Sequence, residues 1–227
     1  MHYSNCTGVI LAGGLNRRFG GRNKALAEIG GQTLLDRLLS AFAGLFPETM
    51  VVTNTPLAFL SCECLVVTDI MDLRTPLAGL HAALNYAKTP AIFATACDTP
   101  FLSPALIEAV LANMDAKSDI VVPETEKGLQ PLCAVYTRTC LAPIERQLRR
   151  EAPAAPADTG EPRGRMLRQG LKILNFYDHV RVRKIPEQTL RRADPDLLSF
   201  FNVNTPEELA RACLLYTSDA ADERVRV

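Results

Sequence analysis

The run Thr7-Gly8-Val9-Ile10-Leu11-Ala12-Gly13-Gly14-Leu15-Asn16-Arg17-Arg18-Phe19-Gly20-Gly21-Arg22-Asn23-Lys24 begins nearly apolar, breaks into paired glycines, and then carries three arginines and a lysine. A short apolar segment closed by a turn signal, as over Thr7 to Ala12, suits a central parallel strand buried on both faces. The glycine loop leaves the C-terminal end of that strand, which is where open α/β sheets place ligands. Glycines let backbone N–H groups approach an anion and the basic side chains neutralise it, so the loop reads as a cradle for polyphosphate.

Working outward, strands and helices alternate. Thr33 caps a helix with Asp36 at its acidic third position, and Leu34, Leu35, Leu38, Leu39 and Phe42 form one apolar stripe. Met50 to Thr53 and Leu65 to Thr68 are the next strands, ending in Asn54 and Asp69. Thr75-Pro76 and Ser103-Pro104 each start a helix, with proline at the first turn, and between them the apolar strand Ala91 to Ala96 delivers Cys97-Asp98-Thr99-Pro100. This alternation predicts an α/β fold: a doubly wound, mostly parallel sheet with helices on both faces. Beyond the strand at Ile120 to Val122 the pattern weakens. Gly128 to Tyr136 reads as a strand returning over the active end, antiparallel to the rest, and Val180 to Arg183 as an edge strand. Glu151 to Arg165 reads as a mobile loop, in which Arg163 and Arg165, with Arg168 beyond, belong to a solvated linker more than to a phosphate-binding face. Phe201 to Leu209 is a strand-to-helix turn specified by Thr205 as cap, Pro206, and Glu208 closing a capping box.

At 227 residues, 48% of them hydrophobic, the chain can bury the core of one large domain. Its 25 basic and 25 acidic residues cancel, which argues against a general nucleic-acid or membrane-surface binder. No run of about 18 apolar residues marks a membrane span, and Met1 to Cys6 lacks the features of a leader, so a cytoplasmic location is expected. The 7 cysteines include no C-x-x-C pair; Cys62 and Cys64, the closest two, read as thiols in a reducing compartment.

Two common phosphate loops are excluded, since neither G-x-x-x-x-G-K-[ST] nor G-x-G-x-x-G follows the first strand. The pattern present, L-A-G-G-x-x-x-R-x-G-x-x-x-K over Leu11 to Lys24, is joined by T-P-L-A-G at Thr75 to Gly79, A-C-D-T-P at Ala96 to Pro100 and F-N-V-N-T-P-E-E-L at Phe201 to Leu209. Together, in this order, they resemble the nucleotidyltransferases that activate sugars, polyols or cofactors, and within them the molybdenum cofactor guanylyltransferases. The resemblance implies transfer of GMP from GTP to the terminal phosphate of molybdopterin (the molybdenum cofactor), with release of pyrophosphate. It implies Mg²⁺ as cofactor, GTP and molybdopterin as substrates, and proteins that deliver or accept the cofactor as candidate partners.

Carried residue by residue, the resemblance implies that Leu11, Ala12, Gly13 and Gly14 hold the nucleotide through backbone groups, and that Arg17, Arg18 and Lys24 neutralise its phosphates. Lys24, Arg18 and Asp98 would be the catalytic set, Asp98 would bind Mg²⁺, and Asn204 would be its second ligand. Thr53, Asn54 and Asp69 would contact base or ribose, a carboxylate accepting from guanine N–H groups. Three positions depart from the family pattern: Asn23 stands where aspartate is common, Thr75 where glycine is common, and the base-contacting asparagine aligns with either Thr53 or Asn54. A cytidylyltransferase for the same cofactor, another nucleotidyltransferase of the superfamily, and a nucleotide-binding module without catalysis are the competing readings. The domain is expected over residues 1–212. Residues 213–227 resemble the translation of a transposon-end adapter and are read as a non-native tail.

Overall fold

The computed structural model describes residues 3–13, 19, 23–71, 73–151 and 172–225. Gly14, Arg17, Arg18, Arg163, Arg165 and Arg168, and the loop expected after Glu151, lie outside the described residues.

Ten strands and six α-helices follow one another among the described residues. The strands are β1 (Cys6–Leu11), β2 (Glu28–Ile29), β3 (Gln32–Thr33), β4 (Thr49–Val52), β5 (Leu65–Val67), β6 (Ala91–Ala96), β7 (Ile120–Thr125), β8 (Gly128–Leu129), β9 (Cys133–Thr137) and β10 (Val182–Pro186). The helices are α1 (Leu34–Phe42), α2 (Pro76–Tyr86), α3 (Pro104–Leu111), α4 (Leu141–Glu151), α5 (Glu187–Leu190) and α6 (Pro206–Val225). The main sheet runs β10-β7-β9-β6-β1-β4-β5, with β8 paired to β7. β5, β4, β1 and β6 are mutually parallel, and β9 is antiparallel to both β6 and β7. The expected doubly wound sheet with an antiparallel strand is therefore present.

Each helix start read from the sequence is made by its cap. Thr33 Oγ1 accepts from the Asp36 N–H while the Asp36 carboxylate accepts from the Thr33 N–H, and Thr75 and Ser103 accept from Ala78 and Leu106. The β1 strand shows why its run is apolar throughout. Val9 and Leu11 face the layer built by α2 and α4, whereas Cys6 and Ile10 face that built by α1 and α3. Both faces are dry, so both registers of the alternation must be hydrophobic.

Three expectations need correction. Gly128 to Tyr136 is two strands, not one, because Gly128 takes φ +103° to close a hairpin onto β7, and Pro131, lacking an N–H, interrupts pairing before β9. Phe201 to Asn204 forms no strand; its backbone is joined to the end of β6 by the bond from the Val203 N–H to the Asp98 carbonyl, 2.8 Å. Cys62 and Cys64, read as thiols, are joined in a disulfide, the Cys62 N–H bonding back to Phe59 O and turning the chain so that the two side chains meet. The edge strand at the other side of the sheet does form, two residues further on, as β10 beside β7. Among the described residues no helix is long and apolar enough to cross a membrane.

Candidate active site

The register sets the rim. Leu11 pairs with Val52 and with Ala96, and Val52 pairs with Val67, so β1, β4, β5 and β6 end in one row. After β1 the chain moves outward through β4 to β5, then returns across β1 to β6. The connections after β1 and β6 thus part at a topological switch point, which opens a crevice between them. The segments carrying Lys24 and Asp98 flank it.

Lys24 opens a short 3₁₀ turn, Lys24–Leu26, capped by Asn23, whose Oδ1 accepts from the Ala25 N–H at 3.1 Å. Its ammonium reaches Asp98 Oδ2 at 2.8 Å and Asn204 Oδ1 at 3.2 Å. The side chains of Lys24 and Asp98 are 14% and 19% exposed, so this ion pair is partly desolvated and open on one side. Phe19 lies beside it, with the ammonium 5.9 Å from the ring centroid.

Asn204 owes its place to the start of α6. Glu208 Oε2 accepts from the Asn204 and Thr205 N–H groups at 2.5 and 3.0 Å, while Thr205 Oγ1 accepts from the Glu208 N–H at 3.2 Å. A capping box normally satisfies two helix-end donors; here Glu208 also fixes the residue that contacts Lys24. With the bond from Val203 to Asp98, the C-terminal segment is pinned onto the end of β6.

Two polar atoms in this cluster are buried without a partner among the described residues: Asp98 Oδ1 and Asn23 Nδ2. Beside Asp98, desolvation first and the neighbouring carboxylate second, against the pull of Lys24, push the Cys97 thiol up to about 12. Cys97 therefore stays a neutral thiol near pH 7 and is unsuited to act as a nucleophile.

The second part of the rim lies over β4 and β5. Thr53 is fully buried and donates through Oγ1 to Ala12 O at 3.3 Å, while Asn54 is exposed and donates through Nδ2 to Asp69 Oδ2 at 2.8 Å. Of Thr53 and Asn54, the alternatives for the base-contacting position, Asn54 has the accessible side chain and Thr53 ties β1 to β4. Leu11 and Ala12 are buried, and the Ala12 N–H and Leu11 O are engaged with Val52 and Cys97. Gly13, exposed and beside Asn54, is where the backbone becomes free of the sheet. Gly79 on α2 sits against Leu11 and Asp69, and a Cβ there would meet a Leu11 methyl at 3.2 Å, a tight contact to which Leu11 would have to yield. Thr75, where the family commonly has glycine, supplies the cap of that helix.

The sequence pattern of the MobA-like NTP transferase domain matches residues 8–164, more than half of the chain. The chain belongs to this family. Among relatives, the family's molybdenum cofactor guanylyltransferase of Desulfosudis oleivorans is 43% identical over 206 residues, covering 91% of this chain and 93% of its own. A probable molybdenum cofactor guanylyltransferase of Pelotomaculum thermopropionicum is 34% identical, covering 91% of each chain. The crystal structure of the molybdopterin-guanine dinucleotide biosynthesis protein A of Archaeoglobus fulgidus superposes with a TM-score of 0.75 at 26% identity, covering 93% of this chain and 99% of that one. All four motifs reach the Lys24 cluster or the Asp69 rim within the described residues, and the first of them contributes Leu11 to Gly13, Phe19, Asn23 and Lys24.

Sequence reading misses two features of this site. Arg74, just before Thr75, has φ +31°, a conformation that side chains rarely adopt and for which the sequence carries no signal. The pinning of Asn204 by Glu208 is half visible: the capping box is a local pattern, but its coupling to Lys24 spans 180 residues.

Proposed function

We propose that this protein transfers GMP from GTP to the terminal phosphate of molybdopterin, giving the guanine dinucleotide form of the molybdenum cofactor and pyrophosphate. The observation that carries this reading is the convergence of Lys24, Asp98 and Asn204 at the switch point of a nucleotidyltransferase sheet. In the reaction a phosphate oxygen of the pterin attacks the α-phosphorus of GTP, and the bond from that phosphorus to the bridging oxygen of the β-phosphate breaks. The demand on the protein is alignment and positive charge.

Lys24 supplies charge to the phosphates, in the company of Arg17 and Arg18 from the same loop. Asp98 and Asn204 would hold Mg²⁺, which neutralises phosphate charge when bound. They fit it: the buried, unpartnered Asp98 Oδ1 is a ready oxygen ligand, and magnesium takes one or two carboxylates together with phosphate oxygens and water. Among the described residues no group of three or more His, Cys, Asp or Glu side chains gathers into a separate metal site. Gly13, with Leu11, Ala12 and Gly14, borders the nucleotide. The Asn54–Asp69 pair reads the base, the Asp69 carboxylate accepting from guanine N–H donors.

Incubation with each nucleoside triphosphate, Mg²⁺ and molybdopterin is expected to release pyrophosphate with GTP and far less with CTP. Release with CTP and none with GTP would move the protein to the cytidylyltransferases. Asp69→Asn replaces a charged acceptor by an amide, and the loss of charge-assisted bonds worth about 1.5–3 kcal/mol lowers kcat/KM for GTP by about 10- to 100-fold. Because the change acts on base recognition, the GTP to CTP ratio should fall with it. An unchanged ratio would remove Asp69 from base reading.

A cytoplasmic location and partners that deliver or accept the cofactor belong to the same proposal. So does the assignment of residues 1–212 to the domain and 213–227 to a non-native tail, although α6 extends through Val225 and Tyr216 stacks 4.3 Å from the Arg37 guanidinium.

A further inference from the structure

We infer that the side-chain amide of Asn23 is a phosphate-binding donor, a further binding residue beside Lys24; this rests on the nucleotidyltransferase reading above. The amide is planar and its two ends are used differently. Oδ1 is committed to the Ala25 N–H, which fixes the side chain, and Nδ2 is buried with no acceptor among the described residues. Leaving a buried amide donor unpaired costs stability, and such groups are rare in folded proteins unless a ligand or water satisfies them.

The other orphan of the cluster, Asp98 Oδ1, is an acceptor, so the two could satisfy each other only if they met, and they do not. Each therefore needs a partner beyond the described residues: a cation or donor for the carboxylate, an acceptor for the amide. The acceptor is a phosphate oxygen, because Asn23 is fixed at the head of the turn that presents Lys24 and directly follows a loop holding Arg17, Arg18 and Arg22. An aspartate at this position would make the same cap through one oxygen but would bring a second acceptor and a negative charge in place of the donor. Asparagine converts a capping residue into one that also binds an anion.

Two phosphates could use the donor, the triphosphate of the nucleotide or the terminal phosphate of the pterin. The test uses Asn23→Ser and Asn23→Asp, both good capping residues, so melting temperatures should stay within about 2 °C of wild type. Calorimetric titration with Mg–GTP and with inorganic pyrophosphate, and the KM for molybdopterin in the transfer assay, are the readouts. Asn23→Ser, which is neutral and lacks the donor, is expected to weaken binding of GTP and pyrophosphate by about tenfold, and Asn23→Asp by more. Weakening confined to the molybdopterin KM would assign the same donor to the pterin phosphate. If Asn23→Ser matches wild type in all three, with only Asn23→Asp impaired, charge alone matters and the inference is overturned. A wild-type protein that binds neither GTP nor pyrophosphate would overturn the functional reading along with it.

Discussion

Asp98→Ala is expected to reduce single-turnover GMP transfer by about 10²–10³-fold, the usual consequence of losing a main charge-stabilising group. The substitution removes a carboxylate with two separate duties: Oδ2 holds Lys24 at 2.8 Å, and Oδ1 is buried and unpartnered. The fold should tolerate the change. The backbone carbonyl of Asp98, which anchors Val203, is untouched and an unsatisfied buried oxygen is removed, although the Lys24 ammonium, only 14% exposed, loses its carboxylate and some stability is lost with it. Loss of rate without loss of structure, checked by circular dichroism, is thus the expected pair of results. Asp98→Asn sharpens the test, because the amide keeps an acceptor for Lys24 but loses the charge that would hold a metal. If the asparagine variant turns over like wild type across a Mg²⁺ titration, Asp98 positions Lys24 and does not bind the cation. If the alanine variant does so, Asp98 leaves the mechanism altogether.

What the sequence discloses depends on the range of the interaction. Helix starts at Thr33, Thr75, Ser103 and Thr205 are legible because a cap is made by residues three apart, and the caps form as read. The central strands are legible because burial on both faces demands an unbroken apolar run, as β6 shows from Ala91 to Ala96. The division of β8 from β9 is not, since it depends on Gly128 adopting a positive φ against β7 rather than on any break in hydrophobicity. Thr53 and Asn54 illustrate a finer limit. Both are small polar residues at a strand end, and only the three-dimensional register decides that Thr53 turns inward to Ala12 while Asn54 faces Asp69. The meeting of Lys24 with Asn204 is likewise invisible locally, because it requires both the switch point and the pinning of α6 onto β6. The family likeness names each residue separately; packing brings them to 3.2 Å.

Lys24→Ala is the second large effect expected, again about 10²–10³-fold in transfer rate, equivalent to about 3–4 kcal/mol of transition-state stabilisation. Its interpretation is harder than that of Asp98→Ala, because Lys24 is already bonded to protein. In the structure its ammonium bridges Asp98 and Asn204, so removing it also leaves a carboxylate only 19% exposed without that cation. A stability loss is therefore expected alongside the loss of rate, and a low rate alone does not distinguish a lysine that acts on phosphate from one that only holds Asp98. A double-substitution cycle separates the two. In an Asp98→Asn background the carboxylate that Lys24 pairs with is gone, and a lysine whose whole role was that pairing has nothing further to lose; Lys24→Ala would then add no effect on rate. A lysine that neutralises the developing charge on departing pyrophosphate keeps its value in that background, so the second substitution should slow transfer by a further tenfold or more, about 1.4 kcal/mol. On stability the two substitutions should not add, since the amide of the Asp98→Asn variant presents no unpaired charge when the lysine is removed. A rate effect retained in the Asp98→Asn background together with stability non-additivity is the combination that assigns Lys24 to the substrate in the reacting state and to Asp98 in the resting one.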